Sequence, residues 1–138
     1  MSFLLDTCVL SESTKPSPSE KVRSWLEMQS ETDFFISSIT LAELWQGISS
    51  LPKSKKRQQL ESFFEETVSM FEGRIIPIEK EIAVAWGNVR SEMEKNGRPI
   101  PIIDGFLIAT ALAHELTFVT RNVSDFEKTG VPIFNPWE

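Results

Sequence analysis

The chain predicts a three-layer α/β/α sandwich around a mainly parallel, five-stranded sheet. Three observations carry that expectation. Short apolar runs alternate with longer stretches of helical periodicity, the pattern of β–α units. The 138 residues match one domain with a single core, spanning 1–138. A composition of 41% hydrophobic and 25% charged residues is that of an ordinary globular protein. A chain of this size buries enough surface to need no disulfide or structural zinc.

Phe3-Leu4-Leu5 reads as a buried first strand that stops at Asp6-Thr7. Two prolines and several serines between Glu12 and Ser19 mark a connection or a broken helix start. From Glu20 onward, Val22, Trp25, Leu26 and Met28 fall on one helical face. Asp33 to Ser37 is a second buried strand, and Ile39 to Ile48 a helix that ends between Gly47 and Pro52. Lys53 to Phe71 is a long helix that starts basic and turns amphipathic, with Gly73 as its stop. Ile75 to Ile78 is a short strand, whose Pro77 places it at an edge or a strand end. Ile82 to Lys95 and Ile102 to His114 are helices, the second apolar on more than one face and therefore well buried. Thr117 to Thr120 and Val131 to Phe134 complete the strands.

Composition excludes several classes. A single cysteine, Cys8, rules out an intramolecular disulfide framework and any multi-cysteine zinc site. The first residues lack a basic segment and reach an acid after three apolar positions, so they do not read as a signal peptide. No apolar run approaches the ~18 residues of a membrane span. A soluble, cytoplasmic domain is the expectation. The formal charge of −6 argues against a general nucleic-acid binder with a basic face. Cations bound among the acids would cancel much of it, leaving Lys53, Lys55, Lys56, Arg57, Arg98 and Arg121 to guide a phosphate backbone.

In open parallel sheets, ligands gather beyond the carboxyl ends of the strands. Asp6 follows the first strand there; Arg121, Asn122 and Asp125 follow the fourth. Glu43 and Asp104 fall near helix starts. Each acid also has a local explanation. Asp6 can cap the next helix. Thr40-Leu41-Ala42-Glu43 matches a capping box. Asp104 suits the positive end of a helix dipole, and Asn122 to Asp125 an Asx-turn. Their common placement at strand-to-helix junctions and first turns points further, to one cluster. Asp104 lies between Ile102, Ile103, Phe106 and Leu107, an expensive setting for an ion without a partner. Neighbouring carboxylates raise one another's pKa unless cations compensate.

Oxygen ligands with no histidine or thiolate select Mg²⁺ or Mn²⁺ over zinc. Such ions polarise a phosphodiester and activate water, the chemistry of metal-dependent nucleases. Asp6 and Asp104 are the expected direct ligands. Glu43 ligates or orients water, Asp125 completes a second, weaker site, and Thr120 and Asn122 position water or phosphate. Other chemistries fare worse. Neither a Walker-type loop nor G-x-G-x-x-G after the first strand is present. His114 lies late on a helix, and Cys8 reads as a packed residue without a histidine to activate it. Trp25, Trp45, Trp86 and Trp137 read as core and interface rather than a base-stacking platform. The run from Lys53 to Arg57 reads as a solvated helix start.

The sequence resembles PIN-domain ribonucleases, and among them the VapC-type toxins of bacterial toxin–antitoxin pairs. The matching segments are Leu4-Leu5-Asp6-Thr7, Ser37 to Leu44, Pro101 to Ala111 and Leu116 to Phe126, in order along nearly the whole chain. The ending Asn135-Pro136-Trp137 is similar to the FitB-like branch. The resemblance implies a sheet order of 3-2-1-4-5 and an acid set falling on Asp6, Glu43, Asp104 and Asp125. It also implies Mg²⁺ or Mn²⁺, endonucleolytic RNA cleavage, a homodimer and inhibition by a cognate antitoxin. One position departs: the family usually carries asparagine two residues after the first aspartate, where this chain has Cys8. A thiol is a poor hydrogen-bonding substitute for an amide, so the expectation is weakened or retuned activity. Cys8 also keeps open a catalytically silent protein- or RNA-interaction module. A phosphoryl-transfer domain using Asp6 as nucleophile fits less well, because position 8 lacks the second acid of an Asp-x-Asp loop.

Overall fold

A computed structural model describes residues 1–138. Strands β1 (Phe3–Leu5), β2 (Phe34–Ser37), β3 (Ile75–Ile76), β4 (Thr117–Val119) and β5 (Ile133–Phe134) form one sheet in the order β3-β2-β1-β4-β5. Every pairing is parallel, with Phe3 opposite both Phe34 and Thr117. The helices are α1 (Thr7–Glu12), α2 (Glu20–Met28), α3 (Ser38–Ser49), α4 (Lys55–Met70), α5 (Lys80–Lys95) and α6 (Ile102–Ala113). No helix is long and apolar enough to cross a membrane.

Alternation along β1 divides the core in two. Leu4 points to one face, where it joins Ile82, Val89, Leu107 and Ile108 of α5 and α6. Phe3 and Leu5 point to the other, with Val9 of α1, Trp25 of α2 and Phe71 at the end of α4. The result is the expected α/β/α layering. Burial of this kind is worth roughly 25 cal/mol per Å² of apolar surface, and all three residues of β1 are buried.

Several boundaries differ from the sequence expectation for identifiable reasons. Residues 7–12 form a helix (α1) that periodicity does not mark, because six residues are too few to show an apolar stripe. The capping box at Thr40 is not used. β2 runs straight into α3, and Ser37, still extended, caps it by accepting the Ile39 N–H at 3.0 Å. Glu43 therefore lies in the second turn of α3, without a capping role. β3 ends at Ile76, before Pro77. β5 starts at Ile133 rather than Val131, since Pro132 has no N–H to pair, although its carbonyl accepts Phe118 N–H at 2.8 Å.

The start of α6 is anchored by α5. Trp86 Nε1 donates to the Ile102 carbonyl and Arg90 Nε to the Ile100 carbonyl, both at 3.1 Å. Gly105 permits this approach: a Cβ there would sit 3.1 Å from Trp86 Nε1. The contact fixes the turn that carries Asp104.

Candidate active site

The chain winds outward from β1 to β2 and β3, then crosses back to β4 on the other side of β1. The switch point therefore lies between β1 and β4, where a parallel sheet opens a crevice at its carboxyl end. Asp6 and Thr120 sit on either side of it. Asp6 N–H still donates to Val119 O at 2.9 Å, extending the ladder by one residue. This backbone bond holds its side chain at the crevice.

Asp6 is only 8% exposed, and each oxygen is engaged. Oδ1 accepts the Thr7 N–H at 2.8 Å, and Oδ2 accepts the Thr120 hydroxyl at 2.7 Å. The Cys8 thiol reaches Oδ2 at 3.7 Å. Burial raises the Asp6 pKa; the bonds from Thr120, Thr7 and Cys8 oppose that, and the charge of Asp125 adds to it. Three donors aimed at a buried carboxylate offset part of the cost of its burial without cancelling it.

Asp104, half-buried in the first turn of α6, has its pKa raised to about 6. Burial is the leading cause, followed by the charges of Asp6, Asp125 and Glu43. The four acids named by sequence thus share one electrostatic field. No ion pair with Lys, Arg or His opposes it at any of them. Glu43 is tied in from α3 through Oε1, which accepts the Thr7 hydroxyl at 2.7 Å. Asp125 is exposed on a 3-10 turn (Val123–Phe126) held down by Phe126, which packs edge-on against Phe118 at 4.8 Å. Asp104 and Asp125 together line a cleft of about 410 Å³ with Arg98, Pro99 and Pro101.

No three side chains close into a finished metal cage. An open arrangement of oxygens fits Mg²⁺ or Mn²⁺ nonetheless, because Mg²⁺ keeps several waters and takes only one or two carboxylates directly. The donor set and the unopposed repulsion suit a hydrated divalent cation.

The three supporting residues differ in what their side chains touch. Thr120 is fully buried, and its hydroxyl is used up between Asp6 and the Asn122 N–H at 3.1 Å. It positions Asp6. Asn122 is exposed, with its side-chain amide uncommitted, and remains suited to a ligand. The Cys8 thiol lies 3.9 Å from Thr120 Oγ1, and burial followed by the Asp6 charge pushes its pKa up. The thiol form is thereby favoured over the thiolate that a nucleophile needs. Replacing Cys8 by asparagine would supply Asp6 with a stronger donor.

Sequence reasoning missed the Thr7–Glu43 bond, whose partners lie in two different helices and have no local signature. His114 lies at the far end of α6, in a groove with Ser2 and Phe35, away from the acids. Trp25, Trp45 and Trp86 pack on Phe3, Phe64 and Phe106; Trp25 and Trp86 are partly buried against the core, whereas Trp45 is exposed. Arg57 donates to the Leu51 carbonyl at 2.9 Å, and Lys53, Lys55 and Lys56 around it are solvated.

Residues 3–132 match the sequence profile of the PIN domain. The chain is 38% identical to Toxin FitB of Neisseria gonorrhoeae over 98% of both chains. It is 34% identical to VapC ribonuclease Y4jK of Sinorhizobium fredii, covering 99% of this chain and 98% of the relative. The crystal structure of FitAcB from Neisseria gonorrhoeae superposes with a TM-score of 0.93 at 38% identity, over 99% of both chains.

Proposed function

The chain belongs to the PIN-domain family, and from that premise we propose that it is a Mg²⁺- or Mn²⁺-dependent endoribonuclease, the toxin of a toxin–antitoxin pair. The observation that carries the reading is the Asp104 carboxyl, pushed up to about 6 by burial and by three neighbouring acids that no side-chain cation balances. A site under that strain calls for a divalent cation. Y4jK is named a ribonuclease and FitB a toxin, which supports the substrate class and the biological role. The partners that follow are an RNA substrate, a cognate antitoxin and a second copy of the chain.

Asp6 and Asp104 hold the ion, with Glu43 and Asp125 beside them. Bound there, Mg²⁺ or Mn²⁺ polarises a phosphodiester and makes water more acidic. Thr120, Thr7 and Cys8 fix the orientation of Asp6 and favour its ionised form. Glu43 has one oxygen committed to Thr7, leaving Oε2 to orient a water or accept its proton. Asn122 offers an amide to a phosphate oxygen.

Purified protein is expected to cut RNA with Mg²⁺ or Mn²⁺ and to lose all cleavage in EDTA; cleavage that persists in EDTA defeats the reading. Because Asp104 must lose its proton to bind a cation, Mn²⁺ affinity is expected to fall as pH drops through about 6. Calorimetric titration on either side of that pH checks it. The metal-free fold behaves oppositely. The carboxyl ionises at 3.8 when unperturbed and at about 6 in the fold, so across that window the folded state holds the extra proton. Stability without metal is therefore expected to decline as pH rises through the window. The Cys8 substitution favours one other reading, a silent binding module, which predicts partner binding without any Mn²⁺ binding.

A further inference from the structure

Six arginines occur in the chain, and five are spoken for. Arg23 pairs with Glu20, Arg57 with the Leu51 carbonyl and Arg98 with Glu127. Arg74 donates to the Phe34 and Met70 carbonyls, and Arg90 to that of Ile100. Arg121 has no hydrogen bond and no ion pair. It is exposed, and its guanidinium lies over the Trp137 ring, with the guanidinium carbon 5.3 Å from the ring centroid.

Its position is not neutral. Arg121 stands between Thr120, which holds Asp6, and Asn122. The base of the side chain is therefore one residue from the crevice. The guanidinium makes no ion pair with Asp6 or Asp104. It flanks the acids rather than neutralising them.

The Trp137 ring beneath it is itself fixed. It packs against the apolar layer of Phe3, Leu5 and Val9, and its backbone N–H donates to Asn135 Oδ1 at 2.9 Å. Stacking on such a ring restrains a guanidinium without using any of its five N–H donors. An arginine restrained in this way, with every donor free, is preorganised for a bidentate phosphate contact.

We propose that Arg121, held on the Trp137 ring, anchors the RNA phosphate that flanks the one being cut. This rests on the ribonuclease reading above and names how an acidic protein grips a polyanion beside its own carboxylates. The C-terminal turn, residues 135–137, is then a platform for substrate binding.

Wild type, Arg121→Gln, Arg121→Lys, Trp137→Phe and Trp137→Leu are compared, with Arg23→Gln as a control for net charge. Anisotropy of a fluorescein-labelled random-sequence single-stranded RNA in EDTA gives affinity and its salt slope. Cleavage with Mn²⁺ gives KM and kcat. Arg121→Gln is expected to weaken binding roughly tenfold and flatten the salt slope by about 0.7, the loss of one phosphate contact. KM rises and kcat holds, since the anchor acts away from the scissile bond. Arg121→Lys recovers only part of the loss, because an ammonium keeps the charge without the fork. Trp137→Phe keeps an aromatic face and stays near wild type, whereas Trp137→Leu follows Arg121→Gln.

An Arg121→Gln protein with unchanged affinity and salt slope overturns the proposal, and so does wild type that does not bind RNA. A loss matched by Arg23→Gln would reduce the effect to net charge and also overturn it. Failure of the ribonuclease reading looks different: no cleavage with either metal, whatever the binding data show.

Discussion

Asp104→Asn is expected to cost roughly a thousandfold in single-turnover RNA cleavage, equivalent to about 4 kcal/mol of transition-state stabilisation, while raising the melting temperature of the metal-free protein. The two effects have one cause. At neutral pH the Asp104 carboxylate is half-buried and faces Asp6, Asp125 and Glu43 with no side-chain counter-ion. Asparagine removes the charge that the fold resists and the charge that a cation needs. A residue of merely structural importance would lose activity and stability together. Thermal melts in EDTA above pH 6, run beside the cleavage assay, separate the cases.

Thr120→Val has the second-largest expected effect, and it acts without touching the substrate. Valine keeps the shape but deletes a hydroxyl that donates to Asp6 Oδ2 at 2.7 Å and accepts the Asn122 N–H at 3.1 Å. A buried carboxylate and a backbone donor each lose a partner, at a cost of about 2 kcal/mol and a fall in melting temperature of roughly 6 °C. With its strongest donor gone, Asp6 holds a proton more readily, so Mn²⁺ affinity drops by about 10- to 100-fold, the usual range for groups that orient metal ligands. Thr120→Ser restores the hydroxyl and is expected to recover metal affinity, though not all of the stability, since it leaves the methyl group missing. Calorimetry and melting curves on both variants test this.

The layers of the fold were readable because apolar alternation is a local property of the chain. Leu4 against Phe3 and Leu5, and the continuous apolar face of Ile102 to Leu112, announce a buried strand and a buried helix from their own neighbours alone. The sheet order came from the family resemblance, as no local pattern says which side of β1 receives β4. The acids were legible as a set from their placement near element ends and from the family pattern together; Glu43, in the second turn of α3, fits the placement argument least. Asp104 showed most clearly, since an acid among isoleucines conflicts with its own surroundings.

What stayed hidden was long-range or too short. α1 has only six residues, and Glu43 looked like half of a capping box until Ser37 was seen to cap α3 instead. The bond from Thr7 to Glu43 spans 36 residues, and the contact between Arg121 and Trp137 joins a loop to the chain end. Thr120 could be picked out beside the acids but its role could not, because exposure decides between touching substrate and positioning Asp6.

The central claim is that Asp6 and Asp104 hold a divalent cation for RNA cleavage. Anomalous diffraction from a manganese-soaked crystal tests it most directly. The expected result is a Mn²⁺ peak within about 2.2 Å of an oxygen of each carboxylate, with waters filling the remaining octahedral positions, and no such peak in crystals of Asp104→Asn. Wild-type crystals that leave the crevice without manganese, grown from protein that still cuts RNA, would contradict the account.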